Sequence, residues 1–180
     1  MDFFNAYLNT LGNLIKKIDL ALFQDIIKLL DSLTECGKVI IVGNGGSAAI
    51  ASHIAIDLTK SAHIRAVNFN ETSLITCLSN DYGYENWVAK GLEYYSDPDD
   101  VVILISSSGQ SPNIINGAEA AKKLGLKIIT LSGFDADNPL RGKGDVNLWV
   151  DSNIYNFVET THQAWLASIV DNLCGSINVK

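Results

Sequence analysis

Val39-Ile40-Ile41-Val42-Gly43-Asn44-Gly45-Gly46-Ser47 is the stretch on which the fold turns. Four β-branched residues in a row, with no polar residue alternating among them, describe a strand buried on both faces. Three glycines then allow a tight turn, and the small and apolar residues after Ser47 continue at helical spacing. The same grammar returns at Val101-Val102-Ile103-Leu104-Ile105, followed by Ser106-Ser107-Ser108-Gly109-Gln110-Ser111 and Pro112. Here Ser111 suits the N-cap and Pro112 the first helical position. Two strand–turn–helix units of this kind call for a parallel sheet with helices on each side.

Working outward, aliphatic runs predict strands over residues 38–42, 64–69, 101–105, 127–131 and 146–150. Helices are expected over 47–59, 73–79, 84–95, 112–124 and 157–176. The predicted fold is α/β: one doubly wound, five-stranded parallel sheet in three layers, flavodoxin-like. Upstream, Phe3, Phe4, Leu8, Leu11, Leu14 and Ile15 recur at helical spacing, and Leu22, Ile26, Ile27, Leu29, Leu30 and Leu33 form a second stripe. The expected organisation is an N-terminal helical pair over 1–36, part of the same domain as residues 37–180. Its stripe covers the core or, with Phe3 and Phe4 so near the terminus, a subunit interface.

At 180 residues the chain is long enough to bury a full core. Thirteen basic against twenty acidic residues give a net charge of −7, which argues against nucleic acid or an anionic membrane as partner. Cys36, Cys77 and Cys174 are odd in number and far apart, as reduced thiols of a cytoplasmic protein would be. Cys77, in an apolar segment, is expected in the core rather than as a nucleophile. No basic, apolar leader opens the chain, and no apolar run reaches the ~18 residues of a membrane span.

Both Gly- and Ser-rich turns fall where open α/β sheets bind ligands, outside the carboxyl ends of the strands. Their N–H groups and hydroxyls are neutral donors suited to an anion at a helix N-terminus. The plain alternative is two ordinary turns with one capping serine. Gly43-x-Gly45-x-x-Ala48 also fits the dinucleotide fingerprint, but no acidic residue ends the next strand: Asn70 stands there and Glu71 comes late. No nucleotide cofactor is expected.

At GNGGSAAIASHIAIDL (43–58), SNDYGYEN (79–86), ISSSGQSPN (105–113), TLSGFDADNPL (130–140) and SNIYNFVETTH (152–162) the chain resembles the sugar isomerase (SIS) domain family, and within it the phosphoheptose isomerases. The resemblance spans nearly the whole length. It implies a phosphorylated-sugar ligand and a homotetramer with sites at subunit interfaces. Carried over by position, Ser106, Ser107, Ser108 and Ser111 would cradle the phosphate. Asn44, Gly45 and Gly46 would contact the substrate, and Asn80 and Asp81 would meet the sugar end. His53 and Asp57, four apart on one helical face, match the family's metal-binding and catalytic helix, where the acid is usually glutamate. Glu159 falls where members carry Gln or Glu, and His162 follows three residues later. A zinc ion at His53, Asp57, Glu159 and His162 is the implied cofactor, and Asp57 and Glu159 are the implied proton-transferring groups.

One departure matters. The family pattern places a second histidine eight positions after Glu159, and this chain has Ala167. Alanine can neither move a proton nor bind a metal. The expectation is therefore an aldose–ketose isomerase of the sedoheptulose 7-phosphate type, proceeding through an enediol. The alternative is a SIS scaffold or regulator that binds phosphosugars without turning them over.

Overall fold

The five aliphatic runs form one all-parallel sheet in the order β2-β1-β3-β4-β5, with β1 Val39–Gly43, β2 Ala66–Asn68, β3 Val101–Ser106, β4 Lys127–Ser132 and β5 Val146–Trp149. The computed structural model describes residues 1–175. β1, β3 and β4 are buried nearly throughout, as unbroken aliphatic strands require. β2 is shorter than expected because it is an edge strand. Ile64 is drawn off to close the preceding helix by bonding to Leu58 O, and Phe69 turns into the core.

Alternation along each strand divides the core in two. Val39, Ile41, Ile103 and Ile105 face a layer made by α2 (Leu20–Asp31), α3 (Gly46–Lys60) and α7 (Tyr155–Cys174). Ile40, Val42, Val102 and Leu104 face α4 (Thr72–Tyr82), α5 (Trp87–Tyr95) and α6 (Pro112–Lys123). The expected three-layer arrangement is thus present. Two helices differ most in extent from the expectation, and α7 starts two residues early, at Tyr155. α4 runs on to Tyr82, and α5 starts only at Trp87, because Tyr84–Asn86 form a turn in which Asn86 N–H donates to Gly83 O. The last position of the helix expected over 157–176 lies outside the described residues.

The predicted helical pair is α1 (Asp2–Lys16) and α2. It docks on α7, where Trp165 Nε1 donates to Ile15 O at 2.8 Å and Tyr7 stacks on Phe157. Yet α1 buries none of its own residues, and Phe3, Phe4 and Leu8 are 70%, 68% and 63% exposed. Cys77 departs from expectation too: it is exposed on α4, not in the core. Among the described residues no helix is long and apolar enough to cross a membrane.

The feature that positions the site is the reversal of strand order. From β1 the chain moves outward to β2, then returns to β3 on the other side, so the loops after β1 and β3 diverge and leave a crevice between them. α3 and α6 both begin at this crevice.

Candidate functional site

Between the two loops lies an open cleft of about 260 Å³, lined by Asn44–Ser47, Ile105–Ser108, Ser111, Tyr155 and Glu159. No basic side chain lines it. Its polar surface is hydroxyl, amide and backbone, with Glu159 the one charged group. Larger hollows lie elsewhere; one of about 570 Å³ beside Phe69, Leu74 and Tyr94 is mainly apolar and lacks this convergence of donors.

The serine loop is built to present hydroxyls. Ser111 and Pro112 take the N-cap and first helical positions as expected, but the Ser111 hydroxyl caps nothing. It turns inward to pair with Ser106 Oγ at 2.9 Å. Ser107 Oγ is buried without any hydrogen-bond partner. A buried hydroxyl left unpaired costs about 1–3 kcal/mol, which an anion seated in the loop would recover. Ser108 Oγ accepts from Gln110 N and shapes the turn. At its apex Gly109 has φ +65°, and a Cβ there would stand 1.9 Å from Asn138 Oδ1, so only glycine fits. Asn138, 4% exposed, donates to Ser132 Oγ and to the carbonyls of Gly133 and Asp135, bracing the loop from below.

The glycine loop is tied to the serine loop by a pair of amides. Asn44 Nδ2 donates to Asn113 Oδ1 and Asn113 Nδ2 donates to Asn44 Oδ1, both at 2.9 Å. Tyr84 OH adds a third bond to Asn44 Oδ1 at 3.1 Å. Asn44, expected to meet substrate, thus spends most of its capacity as a clamp. Gly46 opens α3, and the Glu159 carboxylate comes so close that a Cβ on Gly46 would lie 2.3 Å from Oε2. Asn113, Tyr84 and Asn138 are the site residues that sequence reading did not single out. All three sit inside the motif segments, but their work is to join segments distant in sequence.

The remaining expected residues do not all converge. Asn80 and Asp81 lie exposed on the last turn of α4, bonded to each other and outside the cleft. His53 Nε2 stands 3.0 Å from Asp57 Oδ2, as their four-residue spacing predicts, with His53 exposed and Asp57 half-buried. His162 does not join them. It is fully buried, its Nε2 donates to Ser132 O at 3.0 Å, and burial pushes its pKa down to about 4. The ring is therefore neutral and locked in the core, because position 162 lies on the face of α7 that packs against the sheet. Zinc needs three or more such donors on one point. No three His, Cys, Asp or Glu side chains come together among the described residues, so within one chain these residues do not fit the ion.

Residues 2–133 match the SIS domain family model. The chain is 34% identical to a phosphoheptose isomerase of Helicobacter pylori over 165 residues, covering 88% of this chain and 85% of that protein. It is 33% identical to one of Syntrophotalea carbinolica over 178 residues, covering 93% and 90%. Among solved structures, the phosphoheptose isomerase of Neisseria gonorrhoeae superposes with a TM-score of 0.85 at 26% identity, covering 96% of this chain and 98% of that one. Fold, cleft and kinship agree: the chain belongs to the SIS domain family, in its phosphoheptose isomerase branch.

Proposed function

We propose that this chain is an aldose–ketose isomerase of phosphorylated sugars, of the sedoheptulose 7-phosphate type. The observation that carries the reading is the cleft itself: an uncharged cradle at two helix N-termini, with one carboxylate held against its wall. The named activity of the curated relatives favours it over a binding scaffold without turnover.

In this reading the substrate phosphate sits in the serine loop. It accepts hydrogen bonds from Ser106, Ser107, Ser108 and Ser111, at the positive end of the α6 dipole. The sugar chain extends past Asn44, Gly45 and Gly46. Glu159 takes the proton from the carbon beside the carbonyl, and the C–H electron pair becomes the enediol double bond. The carbonyl oxygen gains negative charge, which N–H groups at the start of α3 stabilise. That oxygen then takes the proton of the adjacent hydroxyl, whose own oxygen becomes the new carbonyl as Glu159 returns its proton to the former carbonyl carbon, and the isomerisation is complete. Asp57, held by His53, is the other carboxylate suited to carry a proton. Within one chain Asn80 and Asp81 have no place in the mechanism.

The enzyme works as a homotetramer in the cytoplasm, its sites completed between subunits. Support comes from the smallness and openness of the cleft and from the apolar face of α1, which docks on the helix that carries Glu159. The helical pair over 1–36 thus serves both the domain and the assembly. The test is incubation of the purified protein with sedoheptulose 7-phosphate in deuterated water. Conversion, with solvent deuterium entering C1 or C2, is expected. Thermal stabilisation by the sugar phosphate with neither conversion nor exchange would overturn the isomerase reading in favour of a scaffold.

A further inference from the structure

Both ring nitrogens of His53 are engaged. Nε2 faces Asp57 Oδ2 at 3.0 Å, and Nδ1 lies 3.2 Å from the side-chain nitrogen of Gln163 on α7. An amide nitrogen can only donate, so Nδ1 must be the acceptor there and the ring proton must sit on Nε2, aimed at the carboxylate. The result is a directed array across the exposed edge of the α3–α7 junction: Gln163 N–H to Nδ1, then Nε2–H to Asp57.

The position of Gln163 sharpens the point. Glu159, Gln163 and Ala167 are spaced four apart and share one face of α7, while His53 and Asp57 share one face of α3. Gln163 is the middle residue of its row, and it reaches across to His53. A metal would need the bare lone pair of one ring nitrogen. Here one lone pair already accepts from Gln163 and the other nitrogen carries the proton. The methyl of Ala167 and the inward-turned ring of His162 add no donor.

We infer that His53 serves this chain as a hydrogen-bond donor that orients the Asp57 carboxylate, with Gln163 as the positioning residue that fixes its tautomer, and not as a zinc ligand. The use of Asp57 in turnover rests on the isomerase reading above; the tautomer and the fate of zinc do not.

The experiment uses the full chain with ¹⁵N-labelled histidine, His53 being assigned from the spectrum of His53→Gln. Long-range ¹H–¹⁵N correlation is expected to show the Nε2–H tautomer, unchanged after one equivalent of zinc. Isothermal titration should find no stoichiometric zinc site that His53→Gln abolishes. Gln163→Leu should mix the tautomers and lower kcat about tenfold with KM little changed, the scale of losing a partner that orients a functional histidine. An Nδ1–H ring in the native protein, or zinc bound stoichiometrically through His53, would overturn the inference, as would Gln163→Leu keeping both tautomer and kcat. Should the protein isomerise no sugar phosphate at all, the proposed activity fails, while spectrum and zinc titration still decide this point.

Discussion

Gly46→Ala separates the site from the fold. A Cβ at this position would stand 2.3 Å from Glu159 Oε2 and 2.6 Å from both Cδ and Oε1. Ordinary contact begins near 3.4 Å, so the carboxylate must retreat by about 1 Å. The atoms in the way are the end of a flexible side chain, so the retreat strains little. At a helix start alanine is favoured over glycine by up to about 1 kcal/mol. Unfolding temperature should therefore hold or rise. A misplacement of about 1 Å in a catalytic group costs about 100-fold in rate, or close to 3 kcal/mol in the barrier. The assay is steady-state isomerisation of sedoheptulose 7-phosphate beside a thermal melt. In a Glu159→Gln background the same substitution should cost almost nothing further, because the group it displaces is already gone. Full kcat/KM in Gly46→Ala would refute the reasoning. So would a loss that merely follows a fall in melting temperature, or one that persists undiminished in the Glu159→Gln background.

Three further outcomes are expected. Because burial holds His162 at about 4 against an ordinary 6.5, the unfolded chain takes up a proton that the fold refuses. Stability is then complete above about pH 6.5 and falls as pH drops toward 4, by about 2 kcal/mol at pH 5; urea unfolding at pH 7.5 and 5 should show this loss shrinking in His162→Gln, and equal losses in both proteins would refute it. Ser111→Ala should lower the melt modestly, since α6 loses no cap but the buried Ser106 hydroxyl loses its partner, and should weaken inorganic phosphate binding about tenfold, the worth of one hydrogen bond to a charged group; unaltered binding by calorimetry would count against the cradle. Phe3→Asp with Phe4→Asp should split the assembly, read as a lower mass by light scattering, and an unchanged mass would place the interface elsewhere.

The fold was legible wherever a local pattern carries it. Val39–Gly43 and Val101–Ser106 announce buried parallel strands in their composition, and the turns after them mark the crevice. The edge strand was read too long because its ends serve α3 and the core, which only the assembled sheet reveals. Within the site, the serines and Gly46 were legible because loop chemistry is local. Asn113, Gln163 and Asn138 were not. The first two act on partners 69 and 110 residues away, and Asn138 anchors a loop almost thirty residues before it; none of these distances leaves a trace in spacing. His162 shows the converse. Its spacing from Glu159 puts it roughly on the same side of a helix, but α7 touches the sheet along that side and the small angular difference sends one residue to the cleft and the other to the core.

The mutual amide pair of Asn44 and Asn113 has one more consequence. It carries no net charge and has no proton to give up, and the serines beside it share both properties. A phosphate ester passes from monoanion to dianion near pH 6. Through that change the amide pair and the serines neither gain nor lose charge, so in the phosphate cradle itself the ligand alone titrates. The pH dependence of phosphosugar affinity should accordingly trace the second ionisation of the ester, and a graft of lysine into the loop would replace that curve with the protein's own.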